Sequence, residues 1–121
     1  MDNLLNYLNH HKSEDFNELL FSYIDKSGKK DSEIYKKADI DRKLFSKIRC
    51  NNSYIPRKKV IMKLGITLQL GKEDFLRLLQ SAGYSLASNH QDLIISYCIE
   101  NKIYDLDQVN NYLYMHCHTV L

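Results

Sequence analysis

Apolar residues recur along the chain at intervals of three and four, and no run alternates with period two, so the pattern predicts helices almost throughout. Leu4, Leu5 and Leu8 predict a short N-terminal helix that the polar stretch 9–12 interrupts. Ser13 is placed to cap a second helix, with Glu14 and Asp15 in its first turn, where acids favour the helix dipole. Its stripe is Phe16, Leu19, Leu20, Tyr23 and Ile24, and Gly28 is its expected stop. Asp31 or Ser32 is expected to cap a short helix reaching about Ala38. The turn Asp39-Ile40-Asp41 follows, and Asp tolerates the left-handed backbone that such a turn often needs. Asp41 is then expected to cap a helix over 42–49. Ile40 just before that cap and Phe45 four positions after it have the spacing of a hydrophobic staple.

After the polar loop Asn51-Asn52-Ser53, Pro56 marks the expected start of a helix with Val60, Ile61, Leu64 and Leu68 on its apolar face. Gly65 lies on that same face, where its small size permits close helix approach. Gly71 is expected to end this helix. Phe75, Leu76, Leu78 and Leu79 belong to the next, which Gly83 stops. A polar link over 85–90 precedes helices at about 91–101 and 107–116. The expected organisation is a single all-α domain with an N-terminal helix (1–12), a central unit (13–84) and a C-terminal helical extension (85–121).

At 121 residues the chain is long enough to bury a core, and its 44% apolar content argues against disorder. No apolar run approaches the roughly 18 residues of a membrane span. The start Met1-Asp2-Asn3 lacks the pattern of a signal peptide, so the expectation is a cytoplasmic protein without membrane association. Cys50, Cys98 and Cys117 form no CxxC pair and are expected to be reduced packing residues.

Charge changes the picture most. The net charge is only +2, yet the window 26–63 carries thirteen Lys/Arg against four Asp/Glu. A positive field concentrated on two short helices and their turn is the footprint of a duplex DNA binder. Other chemistry is poorly provided for. His116-Cys117-His118 is the most ligand-like cluster, but residues two apart on a helix face different sides. With no second pair at ligand spacing, no metal, cofactor or catalytic site is expected. There is also no glycine-rich phosphate loop, GxSxG or HExxH, so no enzyme is expected.

The stretch 32–83 resembles the lambda-repressor/Cro-like, XRE-type helix-turn-helix family. The likeness is carried by Ile34 and Ala38 on the first helix, Ile40 in the turn, and Phe45 and Ile48 on the second. It continues through the loop 51–53, Pro56, and Leu64 and Leu68. The resemblance implies a five-helix lambda-repressor-like core with extra N- and C-terminal helices. It also implies that the second helix of the pair lies in the major groove. Carried over by position, Arg42, Lys43, Ser46 and Lys47 would face DNA, with Arg42 or Lys43 donating to guanine. Asn51, Asn52, Ser53, Arg57, Lys58 and Lys59 would touch phosphates, and Lys36 would share their side. Tyr35 stands where the family usually has a small residue between the two helices, Asp39 replaces the usual turn glycine, and Leu44 is expected to reach partly onto the DNA-facing side.

The expected function is therefore sequence-specific double-stranded DNA binding in transcription regulation, with homodimers as the family often forms. Leu93, Ile94, Tyr97, Ile103, Val109, Tyr112 and Leu113 either form the dimer surface or complete the monomer core. The alternative is a protein-interaction module of the same fold, of phage or mobile-element type, that binds an acidic protein partner. Leu44, Tyr35 and the acidic remainder of the chain motivate it.

Overall fold

A computed structural model describes residues 2–11 and 14–121. These residues form eight helices and no strand: α1 (Asp2–His11), α2 (Phe16–Ser27), α3 (Asp31–Lys37), α4 (Arg42–Cys50), α5 (Lys58–Thr67), α6 (Lys72–Ser81), α7 (His90–Glu100) and α8 (Leu106–Cys117). The class is all-α. Among the described residues no helix is long and apolar enough to cross a membrane.

α5 is the centre of the packing. It touches α3, α6 and α8. Its buried set therefore runs around the helix, through Ile61, Met62, Leu64, Gly65, Ile66 and Thr67. A helix apolar on most of its circumference belongs inside a core. At Gly65 an added Cβ would lie 2.6 Å from two carbons of the Phe75 ring, so the missing side chain is what lets α6 approach. α2 packs on α6 from the other side, and α7 and α8 pack mainly on each other and reach α6 and α5. One apolar cluster runs from Phe16 to Leu121 and includes Ile95, Cys98, Ile99, Val109 and Leu113.

Helix ends follow a common device. Asp39, Gln69, Gly83 and Lys102 all adopt left-handed backbone, with φ of 53°, 56°, 85° and 55°. In each case the next residue donates its N–H five positions back: Ile40 to Tyr35, Leu70 to Gly65, Tyr84 to Leu79 and Ile103 to Cys98. These are Schellman closures with an apolar residue just beyond the left-handed one. Three of the four use a residue other than glycine there. This explains why α5 ends at Thr67 rather than at Gly71: Gln69 makes the closure, and Gly71 instead opens α6 as its N-cap.

Starts differ from expectation for similar local reasons. Asp15, not Ser13, caps α2 by accepting from the Asn17 N–H, and Ser13 lies outside the described residues. Residues 9–11 continue α1 rather than interrupting it. At α3 the N-cap position is Lys30, without a side-chain cap. The Asp31 carboxylate is taken by Arg49, at 2.6 Å from Nε to Oδ2. Asp41 holds the N-cap position of α4 in extended backbone, but its side chain makes no capping bond. Pro56 is buried ahead of α5, and Arg57 is still extended at ψ 155°, so the helix begins at Lys58.

The cysteines divide. Cys98 is buried, which pushes its thiol pKa up, whereas Cys50 is exposed and Cys117 is half-buried. Tyr23 also titrates above its ordinary range, first through burial and then through the nearby Asp74 carboxylate, which accepts from its hydroxyl at 3.3 Å. Of the seven C-terminal residues open to two roles, Val109 and Leu113 are fully in the core, and Ile94, Ile103 and Tyr112 pack partly against it. Leu93 and Tyr97 stay exposed.

Candidate nucleic-acid interface

α4 owes its position to contacts at both ends. At its start, the left-handed Asp39 reverses the chain and delivers Ile40 and Phe45 into the core together, at 6% and 3% exposure. The staple spacing is therefore filled by two buried side chains. At its end, the buried Asn17 of α2 donates from Nδ2 to the Ile48 carbonyl at 2.8 Å. That carbonyl lies in the last turn, where helix carbonyls lack internal partners. Tyr35 packs against Phe45 with ring centroids 5.6 Å apart and planes tilted by 44°, filling the space between α3 and α4.

The turn of 100° per residue then divides α4 cleanly. Leu44, Phe45 and Ile48 face inward, with Leu44 half-buried. Arg42, Lys43, Ser46 and Lys47 are all exposed, and Arg42, Lys43 and Ser46 line an open recess with Asp41. The Lys47 ammonium sits 4.3 Å from the centroid of the Tyr54 ring, a cation–π contact that orients it along the loop. Cys50 continues the row Arg42, Ser46 at the far end of the helix and is exposed.

The loop after α4 is built by its own polar groups. Asn51 Oδ1 accepts from the Ser53 backbone N–H at 3.1 Å and from the Ser53 hydroxyl at 2.9 Å, and the Tyr54 N–H closes the turn onto the Asn51 carbonyl. Asn51 therefore shapes the loop. Asn52 and Arg57 are exposed, and neither has an ion pair or side-chain hydrogen bond among the described residues.

Other cations of the basic window have internal tasks that sequence reasoning missed. Lys58 Nζ lies 2.7 Å from Oδ2 of Asp92, a carboxylate 3% exposed that also accepts from the Ala87 N–H at 2.7 Å. Lys59 Nζ donates to the Val120 carbonyl at 3.0 Å and to Thr119 Oγ1 at 3.3 Å. The two lysines expected at phosphates thus fasten α5 to the C-terminal extension. Arg49 makes its fork onto Asp31 and lies 4.1 Å over the Phe21 ring. Lys63 and Lys29 donate to the carbonyls of Asp39 and Thr67, near the ends of α3 and α5. Lys36 and Lys37 line a separate cleft of about 780 Å³ with Gln69, Lys102 and Asn110. These partners lie 18 to 61 residues away in the chain. The only local signal was at Asp92, an acid in the first turn of α7.

Of the residues expected at DNA, Arg42, Lys43, Ser46 and Lys47 on α4, Asn52 and Ser53 in the loop, and Arg57 just before α5 stay exposed with no long-range side-chain partner among the described residues. Three cations (Arg42, Lys43 and Lys47) and the Ser46 hydroxyl on the exposed arc of α4, with Asn52, Ser53 and Arg57 after it in the chain, suit binding to an anionic surface with exposed polar edges. Among the described residues no three His, Cys, Asp or Glu side chains converge as a metal site would need. Comparison with protein-family models, with curated proteins and with solved structures returns no match.

Proposed function

We propose that the chain binds double-stranded DNA as a transcription regulator of the lambda-repressor/Cro-like kind, with α2 to α6 as its five-helix core and α4 in the major groove. Arg42, Lys43 and Ser46 meet base edges, and Lys47, Asn52, Ser53 and Arg57 hold phosphates. One observation carries the reading: the cationic arc of α4 is open to solvent while the helix is anchored at both ends from beneath. A rigid, uncovered helix is what groove insertion requires.

An acidic protein partner is favoured less. Leu44, one of the features that motivated it, turns partly into the core instead of standing on the exposed arc. Tyr35 is likewise engaged with Phe45.

A titration of random-sequence duplex at several salt concentrations tests the proposal. With about four phosphates engaged, affinity should fall about 100-fold between 50 and 200 mM salt. Arg57→Ala should lower the slope of log affinity against log salt by about one, since each lost phosphate contact releases one fewer counterion. Lys58→Ala should leave that slope unchanged, because its charge is committed to Asp92. Equal slopes for wild type and Arg57→Ala would remove Arg57 from the interface, and no salt-sensitive binding would remove the function.

A further inference from the structure

Where α3, α5 and α7 end and α8 begins, the chain leaves a cleft of about 780 Å³, within the roughly 300–1,000 Å³ of small-molecule sites. Its rim is fixed by backbone, since Asp39, Gln69 and Lys102 all line it and each is the left-handed residue of a helix closure. Half-buried Tyr104 and Leu106 supply its apolar part and pack against the core, with the Tyr104 hydroxyl donating to the Leu70 carbonyl at 3.1 Å. Lys36, Lys37 and Lys102 share this cleft with Asp39, Asp105 and Asp107, yet among the described residues none of these six charges pairs with another. Nor are the three lysines taken up by the helix ends that converge here. Each end already has another side-chain donor: Lys63 to the Asp39 carbonyl, Lys29 to the Thr67 carbonyl and Asn101 to the Tyr97 carbonyl. The partial negative charge of the helix C-termini is thereby met, and the lining ammonium groups are left over.

We propose that this cleft binds a phosphorylated sugar, free or as part of a nucleotide, with its phosphate on Lys36, Lys37 and Lys102 and its hydroxyls on Asp39 and Asp107. A phosphate monoester carries a charge of about −1.5 to −2 near neutral pH, which suits several ammonium groups around one cleft. Lysine serves such a group as a point charge. The carboxylates repel a phosphate, so they suit the uncharged end of the ligand, where sugar hydroxyls donate to them. Asp105 already accepts from the Asp107 N–H, which leaves the Asp39 and Asp107 carboxylates for that role. An inorganic anion would meet the lysines but leave the carboxylates facing it, and a simple cation would do the reverse. A zwitterionic amino acid would meet one charge of each sign and leave the rest unmatched.

This inference does not rest on DNA binding, and its test contains no DNA. Backbone amide shifts of the full chain are recorded against ribose-5-phosphate, adenosine monophosphate, inorganic phosphate and ribose. Both phosphorylated sugars should saturate at millimolar concentration or below, with shifts centred on residues 36–39, 67–69 and 102–110. Inorganic phosphate should bind about ten-fold more weakly, and ribose should move nothing. Tighter binding of adenosine monophosphate than of ribose-5-phosphate would identify a nucleotide as the source, and equal binding a free sugar phosphate. Lys102→Gln should weaken both phosphorylated sugars about ten-fold, whereas Asp107→Asn should weaken them without weakening inorganic phosphate. Both residues are exposed, so each variant should keep the thermal transition of wild type. Inorganic phosphate binding as tightly as ribose-5-phosphate, or Lys102→Gln binding as wild type does, would overturn the proposal. So would shifts centred on 42–47, or no saturable shift at the cleft.

Discussion

Arg42→Ala/Lys43→Ala/Lys47→Ala is expected to bind duplex DNA at least about 100-fold more weakly than wild type near 100 mM salt, with a salt slope lower by about one from the loss of Lys47. The three side chains are exposed on one arc of α4 and contribute nothing to the buried cluster, so the variant should melt as wild type does. The effect divides by role. Arg42 and Lys43 stand in the first turn, where a helix entering the groove meets bases, so losing them should also flatten the preference among sequences. Lys47, held beside Tyr54, should mainly reduce affinity uniformly. Competition by unrelated duplex against a selected sequence separates the two contributions. Retained selectivity in the triple variant would place the reading surface elsewhere.

The second large effect is on stability. Gly65→Ala should destabilise the fold by about 2 kcal/mol, although alanine is the better helix former by about 1 kcal/mol. The added methyl would meet the Phe75 ring at 2.6 Å, and that ring is 2% exposed and has nowhere to turn. Either α6 moves off α5 or the ring leaves its rotamer. Combining Gly65→Ala with Phe75→Leu should recover part of the loss, and a double-mutant cycle in urea would read the coupling. Additive penalties in that cycle would show that the close approach of α5 and α6 is not what Gly65 serves.

The all-helical class and the placing of α3, the turn and α4 were legible because their causes are local. Asp39 supplies left-handed backbone, Ile40 and Phe45 sit at staple spacing, and the exposed cations follow from the helical period. Gly65 was legible for the same reason, since its place on the apolar face of α5 implied a close neighbour. Helix ends were less so. A glycine rule finds the stop at Gly83 but not the closure at Gln69, because an apolar residue after the left-handed one can stabilise the turn without glycine. The candidate site was half legible. Arg42, Lys43, Ser46 and Lys47 lie exposed on one arc of α4, as the helical period implied. Lys58 and Lys59 could not be assigned from their neighbours, because Asp92 is 34 residues away and Val120 is 61. Only the folding of α7 and α8 against α5 commits them. Charge counted along a sequence therefore overstates the charge available to a ligand: long-range pairing withdraws Lys58 and Arg49 and leaves Arg57.

The central claim is that α4 is the helix that meets DNA, and backbone amide shifts recorded during titration with a short duplex test it most directly. The account predicts that the largest changes fall on residues 42–47, on 51–53 and on Arg57, and that they shrink as salt is raised. A footprint centred on the cleft of Lys36, Lys37 and Lys102, or no footprint at low salt, would contradict it.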